Sequence, residues 1–526
     1  VKVLVTDNVA QEGIDVLLRE GVGVEVRNKL TEDELCAVIS EFDGIIVRSA
    51  TRVTARVMES APNLKVVGRA GVGVDNIDVS TATERGIIVV NAPDGNTMAA
   101  TEHTMALMLS LARNLPQADA RLKSGVWDKK AFVGVELRNK CLGILGLGRI
   151  GSGVARRAHA MEMDVVAYDP YITEERARDL GVTLLPLEEV FRKADFITVH
   201  MPLTKENYHL LDDDAFAKMK DGVRIINCAR GGIVDEEALY RALVSGKVAG
   251  AALDVFEKEP QTESPLFSLP NFICTPHLGA STREAQVSVA VDVAEEVIAA
   301  LRGELVKNAV NIPSLKPDIL KEIGPYLGLA EKLGRFHAQL LAGRLKRIEV
   351  TYSGELARFR QIDPLTTALV KGLLDTILQE RVNYVNAPVI ARNRGIEISQ
   401  TRVDRVEDYV GLLTVKAASS EGEHELAGTL FRGNDPRVVF IDGYRVDAVT
   451  EGHMLIIPHI DRPRIIGAVG TLIGQHDVNI AAMQVGRKVI GGRAVMVLMI
   501  DSPVPPETLE AIRRVDGILD VRMVSL

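Results

Sequence analysis

The run Cys141–Asp169, CLGILGLGRIGSGVARRAHAMEMDVVAYD, has the order strand, glycine turn, helix, strand, acid. Leu142–Leu145 is a short apolar run that meets Gly146-Leu147-Gly148-Arg149-Ile150-Gly151, and a second apolar run, Val165–Tyr168, ends on Asp169. Gly146 permits the tight turn, Gly148 lets the backbone approach a pyrophosphate, and Gly151 lets the helix pack closely on the strand. Open N–H groups at the helix start face the phosphates. Asp169 stands near the spacing at which an acid hydrogen-bonds a ribose diol. A carboxylate there repels a 2′-phosphate, so the pattern points to NAD rather than NADP.

Working outward, residues 1–97 alternate apolar runs with amphipathic segments and read as a parallel α/β unit. Its loop Arg69-Ala70-Gly71-Val72-Gly73-Val74-Asp75-Asn76 looks like a second glycine fingerprint. The third glycine position holds Asn76, which argues against a second dinucleotide site. A long helical pattern starts at Asn96 and runs toward Gln117, and further strands are expected near Asp195–His200, Val223–Cys228, Ala249–Asp254 and Phe272–Thr275. Two adjacent doubly wound sheets leave a cleft in which ligands bind. The helical segment Thr282–Leu301 is expected to return to the first unit and make it discontinuous. Ile312–Pro317 reads as a linker, with proline near both ends. Residues 318–450 mix helical patterns with strand-like runs at Ile348–Tyr352, Leu412–Ala417 and Val438–Ile441, and residues 452–526 read β-α-β-β-α-β, a ferredoxin-like order.

Composition sets bounds on function. The chain has 526 residues, 47% hydrophobic and 25% charged, which suits a globular protein of about three or four domains. A net charge of −9 argues against general affinity for nucleic acid or an anionic membrane, so an anionic substrate needs a local arginine cluster. Cys36, Cys141, Cys228 and Cys274 are scattered, with no CxxC and no histidine at metal-ligand spacing. They read as buried reduced thiols in a cytoplasmic protein, and no metal site is expected. VKVLVTDN at residues 1–8 reads as a strand rather than a leader, and no apolar run approaches the length of a membrane span.

Chemistry collects on loops that follow strands. Arg230 lies in Asn227-Cys228-Ala229-Arg230-Gly231-Gly232, Glu257 and Glu259 lie in Asp254–Pro260, and His277 lies in Thr275-Pro276-His277-Leu278-Gly279-Ala280. An arginine, a glutamate and a histidine beside a nicotinamide suit the oxidation of a 2-hydroxyacid. The histidine takes the hydroxyl proton, the glutamate fixes its tautomer, and the arginine holds the carboxylate and polarises the C2 oxygen. Position alone does not choose between Glu257 and Glu259.

The runs LGLGRIG, HMPLT, NCARGGIVDEEAL, LDVFEKEP, TPHLGAST, VRSAT and RAGVGVDNID resemble the D-isomer-specific 2-hydroxyacid dehydrogenase family, and the C-terminal extension resembles that of its longest members. The resemblance implies a flavodoxin-like substrate domain (1–97 plus 283–311), a Rossmann NAD domain (98–282), an intervening α+β domain (317–450) and a ferredoxin-like ACT domain (451–526). By that likeness Arg230, Glu259 and His277 are catalytic. The cofactor residues it implies are Gly146, Gly148, Arg149, Ile150, Gly151, Asp169, Cys228, Ala229, Arg230, His277 and Gly279, with Pro202 and Thr204 on the adenine side and Asp254 facing the nicotinamide amide.

The substrate implied is 3-phosphoglycerate, oxidised to 3-phosphohydroxypyruvate at the start of serine synthesis. Arg48, Arg52 and Arg69, with Arg230 across the cleft, form a suitable cationic set, and the N–H groups of Val72 and Gly73 add a carboxylate nest. Trp127 and Lys129 match a loop that reaches a neighbouring subunit's active site, which implies a homotetramer or dimer. In the ACT region the positions matching the effector site are His459, Asp461 and Asn479, with L-serine the expected inhibitor, although Arg464 stands where glycine is usual. Arg437 and Arg445 are candidates for an allosteric anion, and Asn207 replaces a usual threonine with little effect expected. The rival readings are a glyoxylate or hydroxypyruvate reductase, an NAD-sensing corepressor on the same fold, and an amino-acid-binding regulator with a vestigial dehydrogenase half. The first two types lack an ACT tail, and the intact trio speaks against the third.

Overall fold

The computed structural model describes residues 1–304, 306–312, 317–378 and 382–526. The middle of the expected linker, residues 313–316, lies outside them.

The first sheet has five parallel strands in the order Gly23–Val26, Lys2–Val5, Gly44–Val47, Val66–Arg69, Ile88–Asn91. The central strand GIIV is buried at every position, as a strand covered by helices on both faces must be. The helix Arg283–Arg302, capped by Thr282 and stopped at Gly303, packs on this sheet and on the helix Gln11–Arg19. Two glycines permit the approach. A β-carbon on Gly68 would lie 2.7 Å from the Val293 and Val297 methyls, and one on Gly13 would lie 2.6 Å from the Ala290 carbonyl oxygen.

The second sheet has seven parallel strands in the order Phe272–Cys274, Val248–Leu253, Val223–Asn227, Phe196–Val199, Cys141–Leu145, Asp164–Tyr168, Thr183–Leu184. Its order reverses between Phe196–Val199 and Cys141–Leu145, which opens a crevice at their carboxyl ends. The expected long helix is two helices, Thr97–Arg113 and Leu115–Lys123, broken at Asn114 with φ 51°.

The intervening unit carries a six-stranded mixed sheet covered by the paired helices Pro317–Leu340 and Asp363–Ile377. Its strands Glu397–Val403, Glu423–Phe431 and Tyr444–Val449 were not expected from the sequence. The first of these is an edge strand exposed at all positions, so it carries no core-facing alternation to read. The last unit is antiparallel, ordered Ile480–Arg487, Arg493–Ile500, His453–Ile460, Arg522–Ser525, with helices Ile465–Gly474 and Pro506–Arg513 sharing its core.

The cysteine expectation needs correction. All four thiols are free, but none is fully buried and Cys274 is exposed. Among the described residues no helix is long and apolar enough to cross a membrane.

Candidate active site

A cavity of about 330 Å³ lies between the two parallel sheets, with Val72 and Asn96 on one side and Arg149, Ile150, Cys228, Arg230 and His277 on the other. The glycine turn reaches it through Arg149 and Ile150. Gly146 has φ 96°, and a β-carbon there would meet the His200 carbonyl oxygen at 2.7 Å. Around Gly148, which caps the helix Arg149–Ala160, a β-carbon would find open space. On Gly151 it would lie 2.1 Å from the Gly146 carbonyl oxygen. Asp169 closes the second strand, accepting from the N–H of Leu147 at 2.8 Å and of Tyr171 at 2.9 Å. The open face at Gly148, the helix start and this acid fit a dinucleotide. Pro202 and Thr204 are exposed on the neighbouring loop, where Asn207 accepts from the Thr204 N–H (2.6 Å) and donates to the Pro202 carbonyl (2.7 Å). Asn207 thus staples this loop at both ends.

The loops after Val223–Asn227 and Val248–Leu253, and the loop after Phe272–Cys274, converge here. His277 Nδ1 lies 2.7 Å from Glu259 Oε2. A carboxylate only accepts, so Nδ1 carries a proton, and in the neutral ring the lone pair is on Nε2. Burial works to raise the Glu259 pKa, but hydrogen bonds from His277 and the Phe256 N–H hold the carboxyl below its usual range. Glu257 faces elsewhere. It accepts from His209 at 2.9 Å and from the Glu236 N–H at 3.2 Å, while its own N–H donates to Glu236. The ligand atoms of His209, Asp235 and Glu257 lie within 4.8 Å of one another, with His209 Nδ1 3.5 Å from Asp235 Oδ2. Of the two glutamates, Glu259 is the one hydrogen-bonded to His277.

Asp254 is fully buried and is spent on building the loop. Its carboxylate accepts from Thr275 Oγ1 (2.6 Å), the Leu278 N–H (2.7 Å) and the Gly279 N–H (2.8 Å), and its carbonyl accepts from the His277 N–H. Burial opposes ionisation of Asp254, yet the bonds from His103, Thr275 and Leu278 lower its pKa. They also over-determine His277, whose φ of 55° is an unfavourable region for a non-glycine residue. Cys228 and His200 border the cavity, and burial pushes the Cys228 thiol up to about 12 and His200 down to about 3. Both are neutral at physiological pH.

Of the cationic set, Arg230 borders the cavity, whereas Arg48, Arg52, Arg69 and Lys129 do not. Burial lowers Arg69 to about 10, assisted by the nearby charges of Arg230 and Arg48, and its Nε has no hydrogen-bond partner. Arg48 is held by its own N–H on Asp7 Oδ2 (2.6 Å) and by Nη1 on the Asn8 carbonyl (3.0 Å). Asn76 donates to the carbonyls of Arg48 (2.7 Å) and Thr51 (2.6 Å), so the residue that breaks the second glycine fingerprint ties its own loop to the 48–51 loop. Asp7 also accepts from Thr51 Oγ1 at 2.7 Å. Arg52 and Lys129 are exposed and do not border this cavity, and Trp127 is exposed beside Lys129.

The distal positions are held by other partners. His459 is buried on the Ile457 carbonyl (3.0 Å), Asp461 pairs with Arg487 (2.9 Å), and Asn479 donates to Asp501 (2.9 Å). Arg464 has φ 76° ahead of the helix Ile465–Gly474, the conformation glycine would adopt without strain. Arg437 is paired with Asp435 and Asp447, and Arg445 with Asp408.

Residues 105–279 match the D-isomer specific 2-hydroxyacid dehydrogenase NAD binding domain, 322–442 the D-3-phosphoglycerate dehydrogenase intervening domain, and 453–517 the ACT domain. The D-3-phosphoglycerate dehydrogenase of Archaeoglobus fulgidus is 48% identical over 528 residues, covering 100% of both chains. That of Bacillus subtilis is 44% identical, covering 100% of this chain and 99% of the relative. Among solved structures, the TT0316 protein of Thermus thermophilus (37% identity, TM-score 0.55) covers 59% of this chain and 100% of its own. The D-lactate dehydrogenase of Aquifex aeolicus with NAD and lactic acid (29% identity, TM-score 0.53) covers 60% of this chain and 100% of its own. With the glycine turn, the His277–Glu259 pair and Arg230 on one cavity, and with relatives that match from end to end, the chain belongs to the D-3-phosphoglycerate dehydrogenases of the D-isomer-specific 2-hydroxyacid dehydrogenase family.

Proposed function

We propose that this chain oxidises 3-phospho-D-glycerate to 3-phosphohydroxypyruvate with NAD. The observation that carries the reading is the His277 imidazole, held at 2.7 Å by Glu259 on a cavity that Arg230 also borders. Bound NAD supplies the hydride acceptor. His277 Nε2 takes the C2 hydroxyl proton, and Glu259 stabilises the imidazolium that results. Arg230, with the N–H groups of Val72 and Gly73, holds the substrate carboxylate, and Arg48 and Arg69 hold the phosphate, assisted by Arg52 and by Lys129 from a neighbouring subunit. Gly146, Gly148, Arg149, Ile150 and Gly151 cradle the pyrophosphate, Asp169 takes the ribose diol, Pro202 and Thr204 line the adenine side, and Cys228, Ala229 and Gly279 flank the nicotinamide. Asp254 serves this end by shaping the 275–279 loop.

The same reading takes the units to be 1–97 plus 283–311, 98–282, 317–450 and 451–526, in a cytoplasmic homotetramer or dimer. L-serine acts at the ACT unit through His459, Asp461 and Asn479, and Arg437 and Arg445 serve an allosteric anion only if their aspartates release them. The test follows NADH absorbance with 3-phosphoglycerate, D-lactate and D-glycerate in turn. A clear preference for 3-phosphoglycerate supports the reading, and equal or greater rates with the unphosphorylated acids overturn it. Serine titrated against initial velocity should inhibit, and a flat response to millimolar serine removes the feedback role.

A further inference from the structure

The guanidinium to which the proposed function gives the substrate carboxylate is already engaged. Arg230 Nη1 donates to the Ala229 carbonyl at 2.7 Å, so one end of the fork is turned to its own backbone. Its Nε lies 3.3 Å from Asp75 Oδ2. Its Nη2 lies over Gly73, so close that a β-carbon there would stand 2.1 Å from it, with Asp75 Oδ2 only 2.8 Å from the same point. A planar carboxylate is best received by two parallel N–H groups. On Arg230 the Nε–Nη2 edge, one of the two that can do this, faces Asp75 and Gly73.

This contact crosses the cleft. Arg230 follows the strand Val223–Asn227 of the second sheet, and Asp75 follows the strand Val66–Arg69 of the first. Asp75 is 80% exposed and makes no other hydrogen bond or ion pair recorded among the described residues. It stands beside the half-buried Arg69, whose charge it helps to offset against Arg230 and Arg48. A carboxylate that bridges the two sheets through Arg230, next to the Val72 and Gly73 N–H groups, occupies the position expected of the substrate's own carboxylate.

We propose that Asp75 is a resident surrogate for the substrate carboxylate. It holds Arg230 in the ligand-free protein and is displaced when a carboxylate ligand binds, so it sets the affinity of the site for substrate and product. The proposal rests on the reading of Arg230 as the carboxylate holder. The exchange is charge for charge, and the exposed Asp75 returns to water when released. An exposed ion pair shifts an equilibrium by no more than about fivefold, which bounds the expected effect and leaves the exchange readily reversible. A purely structural contact would act in the opposite sense, since its loss would free Arg230 from position and weaken binding.

The test uses the full-length protein saturated with NADH and oxalate as the probe, a dicarboxylate without phosphate, titrated at fixed ionic strength. Asp75→Asn and Asp75→Ala should both bind oxalate about 2- to 5-fold more tightly than wild type, and the KM for 3-phosphoglycerate should fall by a similar factor. Unchanged or weaker oxalate binding in both variants overturns the proposal. Arg230→Ala separates the two readings. If it binds oxalate as tightly as wild type, the assignment of Arg230 to the carboxylate fails; if it loses oxalate while the Asp75 variants match wild type, only the surrogate role fails.

Discussion

Replacing Glu259 with glutamine tests what its charge does. The amide oxygen can still accept from His277 Nδ1–H, so the tautomer is kept while the negative charge and the bond from the Phe256 N–H are lost. As the substrate proton reaches Nε2, the imidazole becomes a cation whose Nδ1 is 2.7 Å from the carboxylate. Unit charges at that separation attract by about 1.5 kcal/mol at the dielectric constant of water and about 6 kcal/mol at an effective value of about 20. The two side chains are 48% and 37% exposed, so the pair belongs between these limits, at about 3 kcal/mol. That corresponds to a loss of about 10²-fold in kcat. The assay is steady-state NADH formation with 3-phosphoglycerate, alongside direct NAD titration. Glu257→Gln is the internal control. Its side chain serves His209 and the Glu236 N–H, and an amide can still accept from both, so its kcat should stay within about threefold of wild type. Equal losses in the two variants, or a Glu259→Gln enzyme within threefold of wild type, would refute the assigned roles.

Gly151→Ala places a β-carbon 2.1 Å from the Gly146 carbonyl oxygen. Backbone cannot swing aside as a side chain does, so NAD affinity should fall at least about tenfold, and unchanged affinity by titration would contradict the account. Arg48→Ala should raise KM for 3-phosphoglycerate far more than for D-glycerate; equal effects would remove Arg48 from the phosphate site. Burial holds His200 near 3 and His337 near 4, against 6.5 for an ordinary histidine. Below pH 6.5 the unfolded chain takes up protons that these folded sites refuse, so stability is whole above 6.5 and falls as pH drops toward those values. Each histidine contributes a slope of up to about 1.4 kcal/mol per pH unit. Denaturation midpoints between pH 7.5 and 5 should show the loss, and a variant with His337→Gln should show a shallower one.

The parts of the fold that strict spacing controls were legible in the sequence. Three glycines, two apolar runs and Asp169 leave few alternatives, because each glycine answers a distinct clash or an opening for phosphate. The ferredoxin-like order of the last unit was equally plain, since its two central strands carry continuous buried apolar runs. What could not be read was whatever depends on one side chain reaching across space. Glu257 and Glu259 are chemically alike and two residues apart, and only the loop's path sends one to His209 and the other to His277. Asp75, Asp7 and Asn76 sit in loops where a polar residue is ordinary, yet each anchors an arginine-bearing segment. The exposed edge strand Glu397–Val403 was missed because nothing about its burial alternates.

The central claim is that His277 is the base. The most direct measurement is the kcat of His277→Gln with 3-phosphoglycerate, taken together with its dissociation constant for NAD. The account predicts a fall of about 10²- to 10⁴-fold in kcat with NAD binding nearly intact. A variant that turns over at close to the wild-type rate would contradict it.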